Sequence, residues 1–404
     1  MKKLFKIALI SLLTLSLVAC GGEKTPEEVE TAQGITDDKV LIANCAATSG
    51  AYAPVGVPFI AGINAYVKYT NEQGGVNGRE IEFLHSDDEF DPVKGKACLQ
   101  NMVETEKVFA IVGHFGTPVV AATIQDLKEY GIPAVYFATG IGQLYNDNAT
   151  GEDRNIFPVQ PIYVTEGQIM VARAVGDFGA KKIGVIYTND DAGKDMLQGA
   201  EVKAKELGIE LVTAQVPAGT DDVSAAVATI KQGEVDFIIG AAIQGTIPTI
   251  VKGLAEQDVN KDVITTYVNV APVIAEQVFE AIDGKFDVYG DGWVAFDAEQ
   301  ADALKLYQEY ADAEYALNAY AITGWIAGHY FVEGLKEMGD KAPTWDNYMD
   351  ALEAKPIQNP FGGLIDFTNG LRQGTTVMNL SKVESAAGWV ATKPLQSIDE
   401  ILGN

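Results

Sequence analysis

Apolar runs alternate with segments of helical spacing along most of this chain. Short runs such as residues 40–47 predict buried strands, and the stretches between them, such as residues 58–72, carry apolar residues at helical spacing. Strands that alternate with helices predict βαβ units around a parallel sheet. The pattern lapses at residues 139–163, where glycine, asparagine and aspartate accumulate, and resumes at Lys182. The alternation on both sides of this gap predicts two α/β blocks.

The predicted elements follow one another at short intervals. In the first block, strands are expected at residues 40–47, 80–87, 109–115 and 133–138, with helices at 58–72, 92–105 and 118–130. In the second block, strands are expected at 182–188, 210–216, 235–242, 263–268 and 286–294, with helices at 194–207, 223–231, 246–256 and 272–281. Helices at 301–313, 315–338 and 345–353 and short strands at 363–367, 375–380 and 388–392 complete the chain. Because these last segments follow the second block, we expect chain from both ends to complete each lobe.

The first residues indicate export. Lys2, Lys3 and Lys6 precede an apolar run at residues 7–18 that is too short to span a bilayer but suits a secretory signal. The run ends in Leu-Val-Ala-Cys20, which resembles a bacterial lipobox; the alternative is a cysteine that merely follows a signal peptide. We therefore predict a signal peptide at residues 1–19, lipidation at Cys20, a flexible tether at residues 20–38 and an extracytoplasmic, membrane-anchored protein.

Charge and length narrow the function classes. Removing residues 1–19 takes away three lysines and no acids, so the formal charge changes from -27 to -30. A strongly negative chain is a poor partner for nucleic acid or for an anionic lipid surface. The mature length exceeds what one core usually supports, so we predict two lobes. Their expected bounds are residues 39–156 plus 296–370 for lobe 1 and residues 157–295 plus 371–404 for lobe 2.

Two cysteines remain in the mature body. In an exported protein, Cys45 and Cys98 invite a disulfide. However, Cys45 lies in a predicted core strand and Cys98 in a predicted helix, where each suits a small buried residue. The pattern favours two buried thiols, and the geometry between them decides.

Signals for catalysis are sparse. The three histidines, His85, His114 and His329, have no cysteine or carboxylate around them at metal-ligand spacing. The sequence contains no nucleophile elbow, phosphate loop or dinucleotide fingerprint. We therefore expect a binding protein with no metal and no cofactor rather than an enzyme.

The stretch from Gly113 to Pro118 is the strongest candidate binding element. A buried strand ends there in a glycine turn, and a helix follows, with Thr117 expected as its N-cap and Pro118 at its first position. Free backbone N–H groups at a helix start favour a carboxylate or another polar acceptor.

Ligands in open parallel sheets bind beyond the carboxyl ends of the strands. The loops expected there are rich in hydroxyls, amides and aromatic rings, which suits a small polar organic ligand. The candidate ligand-binding residues are Ser49, Tyr52, Phe115, Gly116, Thr117, Phe137, Ala138, Thr139, Gln160, Tyr163, Asp191, Gln244, Tyr267 and Asn269.

Several motifs resemble one known family. They are Thr-Ser-Gly at residues 48–50, Ala-Gly-Ile-Asn-Ala at 61–65, the series from Asn71 to Ile81, Asp-Asp at 87–88, Asp-Pro at 91–92, Ile-Val-Gly-His at 111–114 and Gly-Ile-Pro at 131–133. Together they are similar to the type I extracytoplasmic solute-binding proteins of ABC importers, nearest to the leucine/isoleucine/valine-binding group. The resemblance implies the periplasmic-binding-protein type I fold, in which two Rossmann-like lobes with parallel sheets are joined by three crossover segments around a hinge-closing cleft. It also implies ABC permease partners, and we expect the protein to be a monomer.

The resemblance assigns roles to some residues and leaves one role empty. Gly116 and Thr117 match the turn that holds a ligand carboxylate, Ala138 and Thr139 match the next strand end, and Tyr52 matches an aromatic over the ligand. Amino-acid binders of this group usually keep a carboxylate for the ligand's ammonium near Val268, and none stands there.

The ligand therefore stays open at this stage. Asp190 or Asp191 is a possible substitute for the missing acid, and an unpaired buried ammonium costs several kcal/mol. We expect an amino acid or amino-acid-like carboxylate delivered to an ABC importer. The alternatives are a neutral or aromatic ligand, or a ligand-sensing receptor instead of an importer component.

Overall fold

Residues 31–403 are described by the computed structural model, and they form two large β-sheets covered by helices and one two-stranded sheet. The predicted signal peptide, Cys20 and residues 21–30 of the tether lie outside the described residues. Within residues 31–403, no helix combines the length and the apolar character that a membrane crossing needs. The folded part begins before Lys39, because Gln33 Nε2 donates to the carbonyl oxygens of Val103 and Val108 at 3.2 and 3.0 Å.

The first sheet has five parallel strands in the order β2-β1-β3-β4-β5. Its strands are β1 (Lys39–Ala46), β2 (Glu80–Asp87), β3 (Ala110–Phe115), β4 (Ala134–Ala138) and β5 (Ile156–Phe157), and its helices are α1 (Ala53–Glu72), α2 (Pro92–Gln100) and α3 (Thr117–Tyr130). The predicted parallel arrangement is confirmed here. Helix α2 begins as predicted, since Asp91 Oδ1 accepts from the N–H groups of Val93 and Lys94 at 2.8 and 3.0 Å.

The second sheet is mixed, whereas a parallel sheet was predicted. Its strands are β6 (Lys182–Thr188), β7 (Glu210–Val216), β8 (Phe237–Ala241), β9 (Val263–Thr265), β10 (Val288–Gly292), β13 (Val377–Ser385) and β14 (Gly388–Ser397), in the order β14-β13-β10-β9-β8-β6-β7. Strands β6 to β10 are parallel, but β13 and β14 form an antiparallel hairpin against β10. A hairpin needs only a tight turn and no crossover helix, so it adds antiparallel strands at the sheet edge.

The remaining helices lie on the second sheet, except that the three between residues 301 and 352 pack beside α1 and the first sheet. They are α4 (Tyr163–Gly176), α5 (Asp191–Leu207), α6 (Ser224–Gln232), α7 (Ile247–Glu256), α8 (Pro272–Ile282), α9 (Ala301–Tyr310), α10 (Ala319–Met338), α11 (Trp345–Leu352) and α12 (Ile398–Leu402), with a two-stranded sheet of β11 (Ile357–Gln358) and β12 (Leu364–Ile365). Helix α4 was not predicted, and α10 begins four residues later than predicted. Helix α10 packs closely on α1. A Cβ added to Gly324 would lie 1.9 Å from the Phe59 carbonyl oxygen, so only glycine fits there. The exact bounds of the lobes stay a prediction.

Cys45 and Cys98 form a disulfide, so the expectation of two thiols is wrong. The two Cα atoms lie 6.1 Å apart, within the range that a disulfide bridges. Both residues are buried in one apolar cluster with Leu99, Met102 and Ile111. The bond joins strand β1 to helix α2 beneath the first sheet.

Helix α3 begins differently from the prediction. Gly116 occupies the N-cap with φ 89°, and Thr117 is the first helical residue with Pro118 after it. A Cβ on Gly116 would also lie 2.6 Å from the Phe90 ring. Both the backbone angle and the nearby ring require glycine at this position. Thr117 therefore does not cap α3, and its hydroxyl hydrogen-bonds to Thr139 Oγ1 instead.

Candidate functional site

A cavity of about 620 Å³ lies where the strands of both sheets end. The residues that reach it are Phe115 and Ala138 at the ends of β3 and β4, Gln244 after β8, Tyr267 after β9 and Trp293 after β10. Convergence of strand ends is where open α/β sheets bind ligands, and this volume is typical of small-molecule sites.

Buried hydroxyls form one end of the cavity at the start of α3. Thr117 Oγ1 lies 2.8 Å from Thr139 Oγ1, and the Tyr163 hydroxyl adjoins both threonines. Burial raises the pKa of Tyr163 to about 12, so its hydroxyl keeps its proton and stays a donor at neutral pH. The hydroxyls and the helix start together present donors without a formal charge, which suits a carboxylate or carbonyl oxygen.

A second chain of hydrogen bonds links the two sheets behind this end. The Tyr267 hydroxyl donates to Gln160 Oε1 at 2.8 Å, and Gln160 Nε2 donates to the Tyr136 hydroxyl at 2.6 Å. Tyr136 has φ 65°, a conformation that a bulky residue adopts only where its surroundings hold it. The strained backbone turns the Tyr136 side chain into the core beneath the cavity, between the rings of Phe59 and Trp293 at 5.8 and 6.3 Å.

A buried acid that sequence reasoning missed holds Tyr267 from behind. Glu166 on α4 is fully buried; its Oε1 accepts from the Tyr267 N–H and its Oε2 bonds the Thr266 hydroxyl, each at 2.6 Å. Burial, and then the nearby Asp291 carboxyl, raise the pKa of Glu166 well above its usual value. Asp291 faces Arg173, whose Nε lies 2.8 Å from Asp291 Oδ1. Glu166 does not itself line the cavity.

Most of the remaining lining is apolar or aromatic. The residues that sequence reasoning did not nominate include Phe59, Phe90, Ile243, Val268, Trp293, Phe296, Leu317, Tyr320 and Trp389. Tyr320 lines the cavity, and its hydroxyl donates to the Val268 carbonyl oxygen at 3.1 Å. Among the described residues that line the cavity, the charged ones are Asp297 and Lys393. Asp297 is exposed, and Lys393 is paired with Asp177 at 2.6 Å.

Nine of the fourteen nominated residues line this cavity. They are Tyr52, Phe115, Gly116, Thr117, Ala138, Gln160, Tyr163, Gln244 and Tyr267. Tyr52 stacks on Phe90, with ring centroids 3.7 Å apart. Gln244 Nε2 donates to the Val268 carbonyl oxygen at 2.9 Å, which fixes its amide at the cavity wall.

The other five nominated residues lie outside the lining. Phe137 is buried in the core, and Thr139 stands behind Thr117. Asn269 Nδ2 donates to the Ala242 carbonyl and to Thr265 Oγ1, both at 2.8 Å. Ser49 is half-buried beside Asp87, and Asp191 is exposed at the start of α5.

Neither candidate for the missing acid reaches the cavity lining. Asp190 caps α5 instead, since its Oδ1 accepts from the Gly193 N–H at 2.9 Å and from the Thr188 hydroxyl at 2.7 Å. The Asp190 carboxylate therefore serves as the N-cap of α5.

Two of the histidines hydrogen-bond to neighbouring side chains of the first sheet and its helices. His85 lies between Asn44 and Thr48 at 2.9 and 3.0 Å, and His114 bonds Thr123 at 2.7 Å. Full burial lowers the pKa of His114 to about 4, which keeps it neutral. In the part of the chain that the structure describes, no group of three or more potential ligands is placed to hold a metal ion.

Known proteins share this architecture. The curated Leu/Ile/Val-binding protein homolog 1 of Brucella suis biovar 1 is 24% identical over 331 residues, covering 80% of this chain and 83% of the relative. A fatty acid ABC transporter substrate-binding protein from Thermomonospora curvata superposes with a TM-score of 0.78 at 20% identity, covering 94% of this chain and 97% of that one. A branched chain amino acid ABC transporter protein from Thermus thermophilus with bound valine gives a TM-score of 0.78 at 16% identity, covering 92% and 100%.

At these identities, the structural likeness establishes the fold, and the ligands of those two proteins differ too much to name one here. The family model described as Periplasmic binding protein matches residues 39–388, which is most of the chain. The sheets, the strand-end cavity and this match agree, and this chain belongs to the periplasmic binding protein family, whose members are extracytoplasmic and bind substrates instead of transforming them.

Proposed function

We propose that this protein captures a small organic acid with an apolar body and delivers it to an ABC importer. The observation that carries the proposal is the pairing of a neutral hydroxyl-lined end with a wall that is mostly apolar and aromatic. A carboxylate accepts from the Thr117 and Tyr163 hydroxyls and from N–H groups at the start of α3, and the aromatic side chains pack on the rest of the ligand. The nine nominated residues that line the cavity are the proposed ligand contacts.

An ammonium group on the ligand finds no comparable partner. The charged lining residues are Asp297, which is exposed, and Lys393, which has the wrong sign. Desolvating an ammonium without a counter-charge costs several kcal/mol. We therefore favour an acid without an amino group over the amino acid that the family resemblance implied.

Matched pairs of ligands test this choice. We expect 4-methylpentanoate to bind at least tenfold tighter than leucine, and 3-phenylpropanoate at least tenfold tighter than phenylalanine, because each pair differs only in the ammonium. Isothermal titration calorimetry gives both constants. A ligand at a hundred times its dissociation constant also stabilises the protein by about 2.7 kcal/mol, which a thermal-shift assay detects.

The same titrations contain the result that would contradict the proposal. Tighter binding of leucine than of its deaminated partner would restore the amino-acid assignment. The corresponding amides, 4-methylpentanamide and 3-phenylpropanamide, provide the control for charge. If the amides match the acids, the polar end holds a neutral ligand, as the alternative hypothesis states.

The contact at Thr117 is testable by one substitution with a control. Thr117→Val keeps the side-chain volume and removes the hydroxyl, so we expect the acid to bind weaker by about 1–2 kcal/mol. Ser49→Ala removes a nominated hydroxyl that does not line the cavity, and we expect its affinity to stay within about twofold of the native protein. Equal losses in both variants would mean that the Thr117 hydroxyl has no special place in the site.

We further propose that the protein acts as a monomer tethered through a lipid on Cys20 after removal of residues 1–19. The lipobox-like residues before Cys20 support this anchor. Mass spectrometry of the protein from bacterial membranes is expected to find Cys20 at the mature N-terminus with a diacylglyceryl group. An unmodified Cys20 within a longer chain would rule out the anchor.

A further inference from the structure

The cavity has an unusual polarity gradient. At the inner end, Thr117, Gln160, Tyr163 and Tyr267 present polar groups, and each of these residues is less than a tenth exposed. At the outer end the lining is apolar and exposed: Phe296 is 50% exposed, Leu317 71% and Val390 52%. A solvent-facing mouth would ordinarily be the polar end. Here the deep end combines those polar groups with buried rings such as Phe59 and Trp293, and the exposed part of the lining is mostly apolar, with Asp297 as its exposed charge.

Exposed apolar side chains are concentrated at the outer end of the cavity, which we call the mouth. Among the described residues, large exposed apolar side chains occur at nine positions, and three of the nine line this one cavity. The nine are Val57, Val93, Tyr145, Val202, Leu207, Phe296, Leu317, Leu364 and Val390. Scattered apolar residues on a surface need no explanation, but a cluster at one mouth indicates a binding surface.

Separate segments build the mouth and hold it in place. Phe296 follows β10 and packs on the buried Phe361, with ring centroids 5.9 Å apart. Leu317 immediately precedes the Asn318 cap of α10, where Asn318 Oδ1 accepts from the Tyr320 N–H at 2.9 Å. On β14, the neighbouring Trp389 Nε1 donates to the Ala271 carbonyl oxygen at 2.9 Å. These contacts fix the Phe296 ring and the backbone segments that carry Leu317 and Val390.

We infer that the outer half of the cavity is a tail subsite and that the ligand is a monocarboxylate with an extended hydrocarbon chain. The inference rests on the proposed function, because the carboxylate must lie at the hydroxyl-lined end for the tail to point outward. Such a ligand matches the gradient from end to end: its charged head reaches the buried donors, and its tail covers Phe296, Leu317 and Val390.

Charge and continuity favour a ligand tail over a protein partner. The outer wall offers Asp297 and Lys393 as its charged groups, and Lys393 is already paired with Asp177. The mouth also belongs to the same continuous cavity as the hydroxyl-lined end. One elongated molecule therefore fills both ends, whereas a protein surface docked at the mouth leaves the inner donors unmatched.

A series of straight-chain acids tests the subsite. Butanoate, hexanoate, octanoate and decanoate are titrated into the purified protein by calorimetry, below the concentrations at which they aggregate. Each methylene buried against the outer wall is expected to tighten binding roughly fourfold, with a stoichiometry of one. The gain stops once the tail extends past Leu317 and Val390.

Substitutions at the mouth locate the tail. In the double variant Leu317→Gln with Val390→Thr, decanoate is expected to bind about tenfold weaker while butanoate is unchanged. The matched control is Leu207→Gln with Val202→Thr, since these residues are 41% and 50% exposed on α5 away from the cavity. The control is expected to bind both acids like the native protein.

Three results would overturn the inference. If short acids bind and longer chains bring no gain, the proposed function stands and the tail subsite is wrong. If decanoate binds equally well to the mouth variant and the control, its tail lies elsewhere. If no acid of any length binds, the proposed function fails and takes the tail subsite with it.

Discussion

Replacing Cys45 and Cys98 together with alanine is expected to lower the free energy of unfolding by about 4 kcal/mol. The disulfide closes a loop across a sequence separation of 53 residues, and the loss of that constraint from the unfolded chain sets the size of the effect. For a chain of this length, the change corresponds to a fall of roughly 5 °C in the melting midpoint. Differential scanning calorimetry in oxidising buffer measures it.

A reducing agent separates the bond from the side chains. The native protein in reductant is expected to melt near the double variant, while reductant leaves the variant unchanged because it has no bond to break. Titration of the denatured, oxidised protein is expected to find no free thiol at these two positions. Two reactive thiols and a melting midpoint that reductant does not move would show that the residues are buried thiols after all.

The disulfide also shows where reasoning from the sequence ends. Both cysteines were correctly placed in core elements, a strand and a helix, but that local environment suits a thiol and a disulfide equally well. The deciding quantity is the 6.1 Å between their Cα atoms, which depends on how α2 packs beneath β1. Periodicity determines which face of an element is buried and says nothing about which neighbour it meets.

The fold was predictable where local pattern and topology agree. Strand–helix alternation predicts parallel sheets because parallel strands need long crossovers, and β1 to β4 and β6 to β10 follow that rule. The short strands near the C-terminus were predicted only as isolated elements. Their pairing as the β13–β14 hairpin against β10 depends on partners distant in sequence.

The site shows the same division. Residues at strand ends, such as Thr117 and Tyr267, were nominated because parallel strands deliver their ends to one edge of the sheet. Trp293 follows β10, Leu317 precedes α10 and Trp389 lies on β14, and no local signal marks these residues as part of the site. Glu166 was missed because α4 itself was not predicted, and a lone acid in an unassigned segment resembles a surface residue.

Replacing Glu166 with leucine is expected to cost about 2–5 kcal/mol of stability and to weaken ligand binding. The substitution leaves the buried Tyr267 N–H and the Thr266 hydroxyl without their partner, and each orphaned group costs about 1–3 kcal/mol. Tyr267 then loses the backbone contact with Glu166. That contact positions the Tyr267 ring at the cavity wall, where its hydroxyl bonds Gln160 at 2.8 Å. Urea denaturation and calorimetric titration of the acid measure the two effects.

The Glu166→Gln variant is the matched control, and it carries a pH signature. The raised pKa of Glu166 means that the folded protein binds a proton which the unfolded chain releases near its ordinary pKa, so the native stability falls as pH rises from that value through the folded pKa. While Glu166 is protonated only in the folded state, the slope approaches about 1.4 kcal/mol per pH unit. The neighbouring Asp291, whose pKa burial raises to about 7, adds to this decline in both proteins.

Glutamine has the shape and the hydrogen-bonding groups of the protonated glutamate, but it does not titrate. Its carbonyl oxygen accepts from the Tyr267 N–H and its amide donates to the Thr266 hydroxyl, so stability and affinity near pH 5 are expected to match the native protein. Between pH 5 and pH 8 the variant is expected to lose less stability than the native protein, because only the contribution of Asp291 remains. Parallel declines in the two proteins would mean that Glu166 is ionised in the fold. The leucine variant tests the positioning of Tyr267 separately. If Glu166 positions Tyr267, ligand binding weakens in the leucine variant, which lacks the two hydrogen bonds, and is preserved in the glutamine variant, which keeps them.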